Sequence, residues 1–217
     1  MGFTFKPDFP LILVFCLVTV TVCLACGALA PTSSLGPIVA SLDEVSSRYL
    51  IDFRTPCRNA VAMDITALGS TAVLSAVTSC GCALFFLRSR VADGITLLIA
   101  GAGAGLLSRT LKLALGRERP ELSGRLVHVE TYSFPSGHSL SSTSVYLMIG
   151  LLLARHCQFR RHRIVVYVMI ALLVGSIGAS RIYLGVHYMS DVLGGIFMGT
   201  AWILVLTKSA SPFDTKN

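Results

Sequence analysis

Apolar runs of about 20 residues recur along the whole chain, separated by short polar or Pro/Gly-bearing connections. At 1.5 Å of rise per residue, a helical run of that length crosses a hydrocarbon layer of about 30 Å. The pattern predicts six membrane helices, at Phe9 to Ala30, Asp64 to Leu87, Gly94 to Leu115, His138 to Ala154, Ile164 to Ser180 and His187 to Thr207. The fourth and fifth are short enough for hydropathy alone to pass over them. Between Pro31 and Met63 the period changes: Ile38, Leu42, Val45, Tyr49 and Phe53 recur at three- and four-residue steps, while Asp43, Glu44, Ser47 and Asp52 fall mostly off that stripe. Pro37 suits a first helical turn. The expected fold class is therefore all-α: an integral membrane six-helix bundle with an interfacial amphipathic helix in the first outer loop, covering the bundle mouth or gating lipid entry.

Composition agrees with that class. Of 217 residues, 53% are hydrophobic and 13% charged, which leaves room for a single membrane domain over residues 1–217 and none for a separate soluble one. The first run is expected to be a retained helix. Its apolar stretch from Leu11 to Ala30 exceeds the roughly 7 to 15 residues of a signal-peptide core, Lys6 is the only basic residue before it, and Pro31 follows the small residues Ala28-Leu29-Ala30.

The net charge of +7 does not indicate a nucleic-acid partner, because the basic residues divide between two faces without interleaved aromatics or a reading motif. With both termini inside, nine basic residues fall on each side; setting Lys112, Arg119 and Arg181 aside as candidate phosphate ligands leaves nine facing six. Arg155, Arg160, Arg161 and Arg163 crowd one short loop, the kind of segment that stays cytoplasmic and attracts anionic lipid head groups. The expected setting is a bacterial inner membrane, with both termini cytoplasmic and the polar blocks described next facing the periplasm.

Of seven cysteines, Cys16, Cys23, Cys26, Cys80 and Cys82 lie in apolar runs and Cys157 on the inner side, so Cys57 has no outer partner and no disulfide framework follows. No Cys/His grouping has metal-ligand spacing, and neither a metal nor a cofactor is expected. Gly101, Gly103 and Gly105 lack the strand and the Lys-Ser/Thr pair of a phosphate-binding loop; like Gly195 and Gly199, they suit close helix packing.

Three polar blocks stand at ends of the apolar runs. Lys112 and Arg119 are seven apart, two turns on nearly one face if the helix persists, and Pro120 opposes further helix. Pro135-Ser136-Gly137-His138 precedes the fourth run, where a turn opening into a helix aims free N–H groups at an anion. There Ser136 can donate a hydroxyl, Gly137 permits close approach and His138 can protonate a leaving oxygen. Ser180 and Arg181 end the fifth run. His187 and Asp191, four apart, can pair so that one ring nitrogen is held by the carboxylate and the other is free as a nucleophile. Each block alone has a plainer reading: snorkelling cations at a helix end for Lys112 and Arg119, an ordinary helix cap for Pro135 to His138. The intramembrane His/Asp pair favours function, being costly unless used.

Lys-x6-Arg-Pro, then Pro-Ser-Gly-His, then Ser-Arg-x5-His-x3-Asp, in that order over residues 112 to 191, resembles the type 2 phosphatidic acid phosphatase family, whose superfamily also holds soluble acid phosphatases and vanadium haloperoxidases. The resemblance implies a metal-independent lipid phosphate or diphosphate phosphatase. His187 would attack phosphorus, Asp191 would orient it, and His138 would protonate the leaving group and then act as base toward water on the phosphohistidine. Lys112, Arg119 and Arg181, with Ser136, Gly137 and Ser180, would hold the phosphoryl oxygens. By analogy the substrate expected first is undecaprenyl diphosphate, ahead of phosphatidylglycerophosphate, phosphatidic acid and the phosphates of lipid A. Phosphoryl transfer to another lipid and a non-catalytic lipid-binding or transport protein are the other readings; the second needs the cations but neither nucleophile nor acid.

Overall fold

A computed structural model describes residues 9–30, 32–121, 124–155 and 157–210. Lys6, Pro31 and Lys216, on which part of the charge and cleavage reading rests, lie outside these residues, as do both termini. The described residues are helical and contain no strand: α1 (Phe9–Leu29), α2 (Gly36–Asp52), α3 (Pro56–Ala67), α4 (Thr71–Leu87), α5 (Val91–Leu115), α6 (Gly137–Ala154), α7 (Arg160–Tyr183) and α8 (Met189–Ala210).

Four helices, α5 to α8, are long and apolar enough to cross a membrane, and the pair α3 and α4 makes a fifth if a span may bend by 42° at its break. The uninterrupted second span expected from Asp64 to Leu87 is thus replaced by two helices. The sequence carries the reason. Thr55 caps α3 by accepting from the Arg58 N–H and Pro56 occupies its first turn, while Ser70 caps α4 by accepting from the Val73 N–H. Gly69, in the break, lies so near α6 and α7 that a Cβ there would stand 2.6 Å from Ile177 Cγ2 and 3.2 Å from His138 Cδ2. α1 is 21 residues long and its sequence holds no charged residue.

The centre of the bundle is α6, packed by α4, α5, α7 and α8. Its buried face is largely small and hydroxylic, with Ser139, Ser142, Thr143, Ser144 and Gly150 beside Leu140, Val145 and Met148. Large apolar side chains of α7 such as Val165, Met169 and Leu172 instead point outward. That inversion is what a lipid solvent favours: backbones approach through small residues, and bulky apolar groups face the hydrocarbon. Gly195 and Gly199 of α8 show the same device, since a Cβ on either would lie 2.7 Å from a carbonyl oxygen of α6, that of Ser136 or Leu140. Of the glycines in α5, Gly103 lies against Trp202, whereas Gly105 has no neighbour within 4 Å of where its Cβ would be.

Helix direction then sorts the polar residues. The end of α5, the start of α6, the end of α7 and the start of α8 share one end of the bundle, and with them come all three blocks. The opposite end holds Arg90, Asp93, Arg155 and Arg163; there Arg90 pairs with Asp93, and Arg155 stands 3.6 Å from the same carboxylate.

Helix α2 lies at the end of the bundle that carries the blocks, in contact with α1, α7 and α8. Its apolar stripe faces outward, with Ile38 67%, Val45 65% and Tyr49 63% exposed, and its buried face is Gly36, Val39 and Asp43. A carboxylate is therefore the group that α2 turns into the protein.

Candidate active site

The chain between α5 and α6 supplies the first part of the site. Gly116 ends α5 in the left-handed conformation, φ 60°, and its N–H donates to the Lys112 carbonyl. The helix ends at Leu115, as the apolar run predicts, so Lys112 and Arg119 do not share a helix face and the two cations meet through the loop instead. Lys112 Nζ donates to the Tyr132 carbonyl and, at 3.2 Å, to that of Ser133. Arg119 donates to the carbonyls of Thr131 and Val186, each at 2.5 Å, and to Thr131 Oγ1 at 3.0 Å. Burial pulls the Arg119 guanidinium down to about 10, opposed by Asp191, so it remains a cation at neutral pH.

The Phe134–Pro135 peptide is cis, and Ser136 opens α6 by accepting from the Ser139 N–H at 3.4 Å. Gly137 brings the helix start against α5: a Cβ would lie 3.1 Å from Ser108 Oγ and 3.8 Å from Lys112 Cε.

At the end of α7, Gly185 takes φ 74° where a Cβ would press on the Gly124 carbonyl, and the turn returns the chain to His187 just ahead of α8. His187 is 2% exposed and Asp191 is fully buried, with Nδ1 and Oδ2 3.3 Å apart. Arg119 NH1 lies 3.2 Å from His187 Nε2. A guanidinium can only donate, so Nε2 is the acceptor and the ring proton belongs on Nδ1, toward Asp191. Burial holds the His187 imidazole down to about 3, against the hydrogen bond and charge of Asp191 that raise it, so at neutral pH Nε2 keeps its lone pair.

These residues meet in a cavity of about 1120 Å³ lined by Lys112, Arg119, Gly137, His138, Arg181 and His187. Arg181 donates to Thr66 Oγ1 at 2.9 Å, while its buried Nε has no hydrogen-bond partner. Leu98, 14 positions before Lys112 on α5, also lines the cavity, so it runs roughly 21 Å along that helix toward the middle of the bundle. Three expected site residues lie behind its wall. Ser136 and Asp191 are fully buried, and Ser180 is 5% exposed with its hydroxyl donated to the Ile177 carbonyl at 2.6 Å. The Ser180 hydroxyl is thus engaged by its own helix.

The sequence reading missed the groups that hold Asp191. Ser133 Oγ donates to Oδ2 at 2.5 Å, the Tyr188 N–H donates to the same oxygen at 2.9 Å, and Arg117 donates to Oδ1. No motif spacing includes Arg117, and nothing in the irregular stretch around Ser133 marks that residue.

Fold and site define an all-helical integral membrane protein with a histidine-bearing, cation-lined cavity at one end of the bundle. The chain belongs to the PAP2 superfamily, which it matches over residues 93–213, and it is a membrane phosphatase of that superfamily. It is 37% identical to phosphatidylglycerophosphatase B of Bacillus subtilis, over 82% of this chain and 86% of that one. A lipid A 1-phosphatase of Rhizobium johnstonii is 35% identical over 48% of this chain and 42% of its own length. The crystal structure of a transmembrane PAP2-type phosphatidylglycerolphosphate phosphatase from Bacillus subtilis aligns with a TM-score of 0.80 and 30% identity, covering 97% of this chain and all of that one. LpxE of Aquifex aeolicus aligns at 0.62 and 23% identity over 77% of this chain and 95% of its own, a likeness of fold.

Proposed function

We propose that this chain removes the terminal phosphate of a membrane lipid through a phosphohistidine at His187. The observation that carries this reading is the hydrogen bond between Arg119 and His187 Nε2, which leaves an unprotonated nitrogen facing cations in one cavity. His187 attacks phosphorus in line, Asp191 holds Nδ1–H and supports the charge that develops on the ring, and His138 protonates the leaving oxygen. Lys112, Arg119, Arg181 and the N-terminus of α6 at Gly137 neutralise the phosphoryl oxygens, with Ser136 fixing that helix start. Water activated by His138 then cleaves the phosphohistidine. The protein cations provide the positive charge this chemistry needs, so the reaction is proposed to be metal-independent.

Phosphatidylglycerophosphate becomes the first candidate substrate, because the relatives aligned over most of this chain carry that activity in their names. The cavity's reach along α5 suits a lipid whose tail stays in the bundle while its phosphate meets the cations. Undecaprenyl diphosphate is the second reading, favoured by Arg109, which lines the same cavity one turn before Lys112 and offers a cation to a second phosphate. Phosphate release by detergent-solubilised protein from both lipids, phosphatidic acid and lipid A, with chelator present, tests this. One substrate preferred by wild type and lost in His187→Ala supports the reading. Lipid bound equally by both proteins without turnover supports a binding protein instead.

The same proposal covers the whole chain. Residues 1–217 form one membrane domain in which α1 and the α3/α4 pair join α5 to α8 as six spans, and α2 lies at the outer interface with its apolar stripe toward lipid. The arginine-rich end carrying Arg88, Arg90, Arg155 and Arg163 faces the cytoplasm, and the cavity with its cations faces the outside of a bacterial inner membrane.

A further inference from the structure

Helix α2 belongs to none of the three blocks, yet its buried carboxylate reaches the same hydrogen-bonded chain. Asp43 is 4% exposed. Its Oδ1 accepts from the Ser190 N–H at 2.8 Å, and its Oδ2 accepts from Ser190 Oγ at 2.8 Å and from Arg117 NH2 at 2.7 Å. Arg117 NH1 donates in turn to Asp191 Oδ1 at 2.5 Å and to Ser190 Oγ at 2.8 Å, and its guanidinium carbon lies 4.3 Å from the centre of the Tyr188 ring. One guanidinium is thus shared by two carboxylates, one of which holds His187.

Sharing has an electrostatic consequence. A buried Arg117 bound to Asp191 alone would neutralise that carboxylate one to one and weaken its hold on Nδ1–H. With Asp43 on its other side the cluster of Asp43, Arg117 and Asp191 keeps a net negative charge, and that charge faces the imidazole. Asp43 also binds the Ser190 N–H at the start of α8, one residue before Asp191, so the charge and the position of Asp191 are set by the same group.

We propose that Asp43 is a positioning residue for the phosphoryl-transfer step: through Arg117 and Ser190 it holds Asp191 in register with His187 and makes activity depend on the docking of α2. The inference rests on the assignment of His187 as nucleophile. It differs from a cover role for α2, in which the helix would only shield the cavity mouth.

The test compares kcat, KM and Tm of the full-length solubilised protein and four variants on one lipid phosphate. Asp43→Asn keeps an acceptor for Ser190 but removes the charge facing Arg117. Its kcat is expected to fall about tenfold to a hundredfold, the rate equivalent of one charge-assisted hydrogen bond, with KM changed less than about twofold. Ser190→Ala removes the hydroxyl between Asp43 and Arg117 but keeps the backbone latch, and is expected to lower kcat by about threefold to tenfold, as for a neutral hydrogen bond. It serves as the deciding variant should Asp43→Asn fail to accumulate. Glu44→Gln, on the exposed face of α2 and paired with Arg48, should leave all three parameters unchanged. His187→Ala separates the two levels of the account. If it retains turnover, the nucleophile assignment fails and this inference with it; if it is silent while Asp43→Asn and Ser190→Ala keep wild-type kcat, or raise KM alone, only the role given to Asp43 is overturned.

Discussion

At the level of single residues, the proposed chemistry requires one tautomer and one protonation state of His187. The Arg119 donor on Nε2 and the Asp191 acceptor near Nδ1 describe a neutral imidazole with its proton on the carboxylate side. Burial depresses its pKa from the ordinary value to about 3, so the folded state takes up this proton at lower pH than the unfolded chain does. The sign follows: acidification from about 6.5 downward costs folded stability, because the unfolded histidine binds a proton first. The prediction for activity is that the acid limb of kcat/KM assigned to His187 lies well below about 6.5. A pH profile with a limb near that ordinary value would contradict the described environment of the ring. Spacing made the pairing of His187 with Asp191 legible, because four residues is one helical turn. The groups around Asp191 were not legible: Arg117 and Asp43 are each 74 residues from the partner they reach across the fold. No local pattern records such a contact.

At the scale of elements, the small residues of α6 and α8 decide whether the site exists. Ser136 opens α6, and its backbone carbonyl lies against Gly195. Gly195→Ala therefore brings a Cβ to 2.7 Å from that oxygen and 3.0 Å from Ser139 Cβ. Overpacking of this kind costs about 1 to 3 kcal/mol, and the variant should lose both Tm and activity because the start of α6 must shift. Gly105→Ala, with open space at the corresponding position, should not lower Tm. Equal thermal shifts in the two variants would sink the packing argument.

Small-residue spacing marks α8 as a packing element through Gly195 and Gly199 but not α6, whose small face is mostly serine and threonine; apolar run length places α5 to α8 within a few residues. The division of the second span was missed although its signals are local. Thr55-Pro56 and Ser70 are ordinary caps, but the apolar run from Ile65 through Leu87 outweighed them. In α2 the stripe is legible and the role of its opposite face is not: Asp43 looks like one polar residue among several off the stripe, and its partners lie far along the chain.

For the whole molecule, the helix directions gather the three blocks at one end and the arginine-rich connections at the other. The proposed orientation puts the arginine-rich end in the cytoplasm, on charge asymmetry. A single cysteine introduced at Glu130, which lines the cavity mouth, in a variant lacking exposed Cys57, should react with an impermeant maleimide in intact spheroplasts. Reaction only after lysis would reverse the orientation while leaving the chemistry untouched. Superfamily membership follows from the match over residues 93–213, whereas the polar blocks do not encode which lipid is preferred.

Trapping the enzyme during turnover of a lipid carrying a labelled terminal phosphate tests the phosphohistidine itself. After rapid quenching in base and mapping of the labelled peptide, an acid-labile, base-stable phosphoryl group is expected on His187 and missing from His187→Ala. Turnover without label on His187, or label on another residue, would contradict it.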